Sequence, residues 1–307
     1  MTGSLALPAR AKLNLSLRVV GRRSDGYHLL ETLFHAIALH DDLALTLVPS
    51  GIELVISAAS PELTVMPGPD NLVHRALHRF ATAVGYDGGF VARLHKRIPH
   101  GGGLGGGSSD AAAALRLANE LLQRPLAASE LADLALGLGA DVPFFLRGGS
   151  QWGRGVGEQL TAAVVAPMLF TLVLPAFGCP TADVYKSFAA QWKGSRGGDT
   201  LTTITVPDTG DSAVRIAFHN DLLAAAERVQ PALAELRRQI AQLGYPEVAM
   251  TGSGSTLFLA HADSEAQQRC CRVLKPLLRQ GIRLMESASA DAGIDEPRPP
   301  DRLGASV

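Results

Sequence analysis

Residues 99–110 run Pro-His-Gly-Gly-Gly-Leu-Gly-Gly-Gly-Ser-Ser-Asp, with six glycines in the seven positions 101–107. A backbone this bare can fold its N–H groups around an anion. Ser108, Ser109 and Asp110 are N-cap types, and the alanine-rich run behind them favours helix, so a helix is expected over 108–122. A loop that feeds a helix N-terminus presents oriented N–H donors and the positive end of a dipole, which suits a phosphate chain. The chemistry implied is the binding of a nucleotide by its phosphates.

Other glycine loops fit less well. A P-loop needs lysine directly after its last glycine, but Ser108 follows Gly107 and the nearest lysine, Lys96, lies upstream. Gly101, Gly103 and Gly106 match the dinucleotide spacing. That motif also asks for an acidic residue about twenty positions on, at a strand end, whereas Glu120 and Glu130 lie in helical sequence. A flexible linker is disfavoured because the tract sits between an alternating segment (90–98) and an apolar helix.

Phosphoryl transfer asks a protein for a phosphate cradle, positive charge beside the transferred group and a carboxylate to take the hydroxyl proton. Lys12 could supply the charge. It interrupts Ala9-Arg10-Ala11-Lys12-Leu13-Asn14-Leu15, where 12, 14 and 16 are polar and 11, 13, 15 and 17 apolar. By pattern alone a solvent-facing strand side is an equal reading. Asp141 could be the base, in Gly139-Ala140-Asp141-Val142-Pro143 ahead of Phe-Phe-Leu, although an aspartate there is ordinarily a turn or cap residue. Tyr27-His28 offers an aromatic ring beside an imidazole, able to stack on and hydrogen-bond a pyrimidine.

The elements that must position these residues follow from periodicity. Strands are expected at 11–20, 29–39, 42–48, 53–57 and 90–98, with helices at 71–84, 108–122 and 129–138 and a glycine-broken β segment at 150–160. The second half reads as strand 168–174, helix 183–191, a Gly-rich loop 193–200, and helices near 212–225 and 229–243. Strands 247–250 and 256–260, helix 264–279 and strand 282–287 complete it. This order implies an α+β sandwich with a ferredoxin-like second half. The stretch 291–307, rich in Pro, Asp and Arg, is expected to be disordered.

At 307 residues, 47% hydrophobic and 19% charged, the chain has the composition of a globular protein. A net charge of −1 without a basic block offers no footprint for nucleic acid or an acidic membrane surface. Cys179, Cys270 and Cys271 have neither metal-ligand spacing nor a disulfide framework. No leader pattern and no apolar run of 18 residues is present, so a cytoplasmic location is expected.

The loop Pro-x-Gly-Gly-Gly-Leu-Gly-Gly-Gly-Ser-Ser-Asp-Ala-Ala resembles the phosphate loop of the GHMP kinases, and the wider pattern is similar to the diphosphocytidyl-methylerythritol kinases among them. Lys12-x-Asn14 and Gly-Ala-Asp141-Val-Pro-x-Phe stand where that family carries its catalytic lysine and aspartate. The resemblance implies that Asp141 deprotonates the substrate hydroxyl and Lys12 holds that carboxylate ionised, with Asn14 positioning substrate hydroxyls. It places ATP on Pro99, His100, Gly101, Gly102, Gly103, Leu104, Gly105, Gly106, Gly107, Ser108 and Ser109. Asn71, in Asp-Asn-Leu, would approach the adenine, and Lys96 would also reach the nucleotide; a strand lysine with its head in solvent is an equal reading of Lys96.

The segment 21–28 resembles the family's grip on the cytidine of its acceptor, which Tyr27 and His28 would contact together with Thr181 and Tyr185 of Pro-Thr-x-x-x-aromatic. Met250-Thr251-Gly252-Ser253-Gly254-Ser255-Thr256 resembles a second glycine turn behind the phosphate loop, and 218–222 a structural Asn-Asp-Leu segment. The fold implied is the two-domain GHMP kinase fold, with a ribosomal protein S5 domain 2-like N-terminal domain (1–165) and a ferredoxin-like C-terminal domain (166–290). The partners implied are ATP with Mg2+, and 4-diphosphocytidyl-2-C-methyl-D-erythritol as phosphate acceptor. No residue is assigned to the metal, and other GHMP kinases acting on homoserine, mevalonate or a sugar are the alternative. Asp110 departs from the pattern, since many relatives carry asparagine there. A carboxylate beside phosphates repels them unless it faces away or a metal intervenes.

Overall fold

A computed structural model of the chain describes residues 3–192, 218–290 and 295–300. The expected loop 193–200, the first part of the helix expected near 212–225, and residues 291–294 and 301–307 lie outside the described residues.

Two long strands, β1 (Ser4–Arg22) and β2 (His28–Val48), form an antiparallel hairpin closed through Asp25-Gly26, with Gly26 at φ 93°. The two strands expected at 29–39 and 42–48 are one continuous strand. Asp41 does not break it because its buried carboxylate accepts the N–H groups of Arg97 and Ile98. β3 (Ile52–Ala58) lies parallel to its neighbour β4 (Gly89–Lys96), with α1 (Leu72–Val84) in the crossover. Helices α2 (Gly106–Leu121), α3 (Ala128–Leu136) and the short α4 (Val142–Arg147) follow, then strands β5 (Ser150–Arg154) and β6 (Gln159–Ala162). Fully buried Ala111, Ala112 and Ala114 let α2 approach the sheet closely, over a core that includes Leu43, Phe80, Phe90 and Phe144.

The second half of the chain begins with β7 (Leu169–Leu174), then α5 (Thr181–Ala189), β8 (His219–Asn220), α6 (Leu223–Val229) and α7 (Pro231–Gln242), and β7 opens a second sheet. It closes with β9 (Ala249–Met250), β10 (Leu257–His261), α8 (Ser264–Leu274), a 3-10 turn and β11 (Arg283–Ala288). Its order is β11-β7-β10-β9 with every pair antiparallel, the arrangement of a ferredoxin-like βαββαβ unit. The first sheet runs β3-β4-β2-β1-β8, so β8, from the second half, extends it. Ala11, Leu13 and Leu15 of β1 share one core with Phe170, Leu172 and Leu174 of β7 and Phe258 of β10. The two sheets therefore hold β1 between them, and both of its faces are buried. No described helix is long and apolar enough to cross a membrane.

Two further expectations need correction. Helix α2 starts at Gly106, with Gly105 as its cap at φ 74°, so Ser108, Ser109 and Asp110 sit inside the helix instead of capping it. Residues 295–300 of the expected disordered tail pack on β1. Asp295 receives two bonds from Arg10 (2.6 and 2.7 Å), and Arg298 pairs with the backbone of Ala6. Composition does not register a bidentate ion pair made across the whole chain.

His35 links the two sheets. Its Nδ1 lies 2.8 Å from Ser150 Oγ and its Nε2 2.8 Å from Ser289 Oγ, the latter just past β11. Burial lowers its pKa from about 6.5 to about 4, so the ring is neutral. A histidine depressed in the folded state contributes stability above its unfolded pKa and loses it as pH falls toward the folded value. About 3 kcal/mol should therefore disappear between pH 6.5 and 4. Urea unfolding across that window checks this: His35→Gln should lose distinctly less stability than the wild-type chain, and equal losses would exclude His35.

Candidate active site

Strand β1 carries register shifts between Arg10 and Lys12 and again between Asn14 and Ser16. Bulges of this kind re-aim side chains, and here they bracket Lys12 and Asn14. Both are 3% exposed, so the solvent-facing reading of positions 12, 14 and 16 is wrong: the glycine loop at Gly105 and the second glycine turn at Thr251 and Gly252 cover Lys12 and Asn14. Lys12 Nζ donates to Asn14 Oδ1 (2.6 Å) and lies 5.8 Å from the centroid of the Phe34 ring. Asn14 Nδ2 donates to Thr32 Oγ1 (2.7 Å), and the Asn14 N–H donates to Thr251 Oγ1 (3.0 Å). Each polar group is thus fixed by another, as buried polar groups must be. Burial pushes the Lys12 ammonium below the ordinary lysine range, with the charge of Asp141 opposing that fall.

Asp141 precedes α4 but makes no capping bond. Its carboxylate is 38% exposed and 3.8 Å from Lys12 Nζ. The glycine loop meets the same place. The Lys12 N–H donates to Leu104 O (3.0 Å). Gly103, at φ 78°, passes so close to the second glycine turn that a Cβ would sit 2.3 Å from Thr251 O. A Cβ on Gly105 would lie 2.7 Å from the Phe145 ring and 3.2 Å from Lys12 Cγ. At these two positions glycine is required by both φ and space.

A cavity of ≈ 720 Å³ brings Lys12, Asn14 and Asp141 together with Gly103 and Gly105 of the loop, and with Tyr27, His28, Thr181 and Tyr185. That volume suits a small-molecule site. His28 and Tyr185 stack with centroids 5.2 Å apart at 29°, and Phe188 and Trp192 meet the imidazole edge-on at 5.8 and 6.2 Å. His28 Nε2 is buried and has no partner. Burial, then Arg22, lowers the His28 pKa; burial, then Asp141, raises that of Tyr185. Both rings are therefore neutral at pH 7. Tyr27 is 66% exposed at the cavity wall, and Thr181 Oγ1 lies 2.9 Å from Ser253 Oγ.

Residues 71–149 match the family model described as GHMP kinases N terminal domain. The 4-diphosphocytidyl-2-C-methyl-D-erythritol kinase of Moorella thermoacetica is 40% identical over 276 residues, covering 86% of this chain and 93% of that protein. The chain belongs to the 4-diphosphocytidyl-2-C-methyl-D-erythritol kinase family. A crystal structure of 4-(cytidine 5'-diphospho)-2C-methyl-D-erythritol kinase superposes with a TM-score of 0.73 at 35% identity, over 93% of this chain and 99% of that one. Homoserine kinase from Cytophaga hutchinsonii gives 0.67 at 19% identity, over 96% of each chain, a likeness of fold alone.

Lys96, expected at the nucleotide of this kinase or with its head in solvent, is used differently. Lys96 is 2% exposed and buried between Asp41 and Asp110, so neither a nucleotide contact nor a solvated lysine head describes it. Asn71 caps α1: its Oδ1 accepts the Val73 N–H (2.9 Å) and its Nδ2 donates to Met66 O (3.0 Å). Pro99, His100, Gly101 and Gly102 border a second cavity of ≈ 420 Å³ on the loop. Leu104 is buried, Gly106 and Ser108 are half-buried, Gly107 is exposed, and Ser109 is buried in the first turn of α2. Asp110 faces away from the loop, toward Lys96. Thr32 and Phe34 were not singled out by sequence, because on an alternating strand nothing marks the residues that flank a lysine on its neighbour. Asn220 does have a structural use. Its Nδ2 donates to Met250 O (2.9 Å) and Gly252 O (2.8 Å), tying the second glycine turn to β8.

Proposed function

We propose that the chain transfers the γ-phosphoryl group of ATP to the 2-hydroxyl of 4-diphosphocytidyl-2-C-methyl-D-erythritol, forming ADP and the 2-phosphate on the non-mevalonate isoprenoid route. Family membership supports the reaction. The observation that carries it in this chain is the Lys12–Asp141 pair, 3.8 Å apart, in one cavity with Gly103 and Gly105.

In this reading Asp141 accepts the proton of the attacking hydroxyl as its oxygen forms a bond to phosphorus, and the bond to the ADP oxygen breaks. Its freedom from capping leaves its lone pairs available. Lys12 stabilises negative charge on the attacking oxygen and phosphoryl group, and its burial keeps water from screening that charge. Asn14 orients Lys12 and is placed to meet a substrate hydroxyl. The loop N–H groups and the N-terminus of α2 hold phosphate. Among the described residues no group of three His, Cys, Asp or Glu could cage a metal, which fits an ion held chiefly by phosphate oxygens. Mg2+ accompanying ATP would neutralise charge on those oxygens.

The cytosine ring is assigned to the His28–Tyr185 wall of the cavity. Loss of a stacking ring costs about 1–3 kcal/mol. Tyr185→Ala and His28→Ala should each raise KM for the cytidyl substrate by about 10- to 100-fold with KM for ATP little changed. Tyr185→Phe, which keeps the ring, should stay close to wild type. Steady-state kinetics on the three variants check this, and an unchanged acceptor KM in both alanine variants would move the base elsewhere.

A further inference from the structure

Behind the phosphate loop lies a buried ionic group that the reaction above does not use. Lys96, the last residue of β4, donates from Nζ to Asp41 of β2 and, at 2.7 Å, to Oδ2 of Asp110, which follows the first turn of α2. Asp41 also accepts the N–H groups of Arg97 (2.5 Å) and Ile98 (2.8 Å), the residues that lead into the loop. Three side chains thus tie the entry of the loop, at 97–98, to its exit at 110. The glycines between have no side chains with which to hold themselves. A Cβ on Gly106 would lie 3.4 Å from Lys96 Nζ, so the ammonium sits against the first residue of α2.

The group holds two carboxylates and one ammonium, all 3% exposed or less. If both acids were ionised, a net negative charge would be buried against the helix terminus that receives phosphate. Asp110 Oδ1 has no partner to stabilise that charge. Burial pushes the Asp110 carboxyl up to about 8, with Lys96 opposing the rise and Asp41 adding to it. The charged groups acting on Asp110 among the described residues are Lys96 on β4 and Asp41 on β2.

We propose that Asp41, Lys96 and Asp110 are positioning residues for ATP, a clamp on both ends of the phosphate loop that needs the proton of Asp110 to hold its form. The inference rests on reading the loop as the cradle of ATP. Loss of the proton adds a negative charge behind the phosphates, and a charge about 10 Å away in a partly screened interior is worth about tenfold in affinity. Nucleotide binding should weaken as pH rises, although no member of the clamp lines the reaction cavity.

The test is the Kd of ADP by titration calorimetry at pH 7.5, 8.5 and 9.5, on the wild-type chain, Asp110→Asn and Lys12→Met. A phosphate monoester has its second pKa at about 6, so the ligand's own ionisation is complete across this window. The wild-type Kd should rise about tenfold from the lowest to the highest pH. Asp110→Asn, which has the shape of the protonated acid and no proton to lose, should give a flat profile. Lys12→Met should keep the rise, since it lacks the other buried lysine that titrates downward. A flat wild-type profile, a rise unchanged in Asp110→Asn, or a rise lost in Lys12→Met would each overturn the proposal. Tight ADP binding at pH 7.5 with no pH dependence overturns the clamp alone, whereas no binding at pH 7.5 overturns the cradle as well.

Discussion

Asp141→Asn is expected to lower kcat by about 10²–10⁴-fold, with KM for ATP changed by no more than about twofold. The amide matches the carboxylate in shape but cannot take up the hydroxyl proton. The wild-type side chain makes no bond to the backbone of α4, so the exchange breaks no cap and should leave the melting temperature near wild type. ATP affinity should hold because Asp141 borders the loop without belonging to it. Steady-state kinetics with both substrates varied, alongside a thermal melt, provide the check. Turnover within tenfold of wild type would remove Asp141 from the proton-transfer step.

Lys12→Met should lower kcat by about 10²–10³-fold, the usual effect of removing one preorganised group that stabilises transition-state charge. Stability gives the control. Burial already disfavours the charged lysine, so an apolar chain of similar length removes a desolvation cost while depriving Asn14 Oδ1 of its 2.6 Å donor. Thr251 Oγ1, at 3.4 Å, remains beside that oxygen. The opposing effects should keep the melting temperature within a few degrees of wild type. Arginine should not rescue the variant, because Lys12 is 3% exposed and a planar guanidinium neither fits the space of an ammonium nor places its charge at the same point. A kcat loss that matched the fraction unfolded would make Lys12 a structural residue.

Much of the site was legible because its signals are local. Six glycines in seven residues cannot be an ordinary helix or strand, and a lysine interrupting an alternating strand stands out wherever it points. The strand and helix order of the second half led to the ferredoxin-like unit found in the structure. What was not legible depends on partners distant in sequence. Lys96 reads equally as a nucleotide contact or a solvated strand lysine until Asp41, on another strand, is found beside it. Asp41 falls in the break between the strands expected at 29–39 and 42–48, and only the structure shows its carboxylate accepting the backbone N–H groups at 97–98. The start of α2 was placed two residues late because Ser108 and Ser109 are good caps. A glycine in the left-handed region can do that work sooner. The tail was misread over 295–300 because Arg10 lies at the opposite end of the chain.

The account is tested most directly by a coupled ADP-release assay with purified protein and MgATP. It would be offered 4-diphosphocytidyl-2-C-methyl-D-erythritol, mevalonate, homoserine and galactose in turn, with phosphorus NMR of any product. The Lys12–Asp141 pair and the His28–Tyr185 wall predict ADP release with the cytidyl diphosphate alone, and a new phosphomonoester on its 2-hydroxyl. Turnover of mevalonate, homoserine or galactose without turnover of the cytidyl substrate would contradict it.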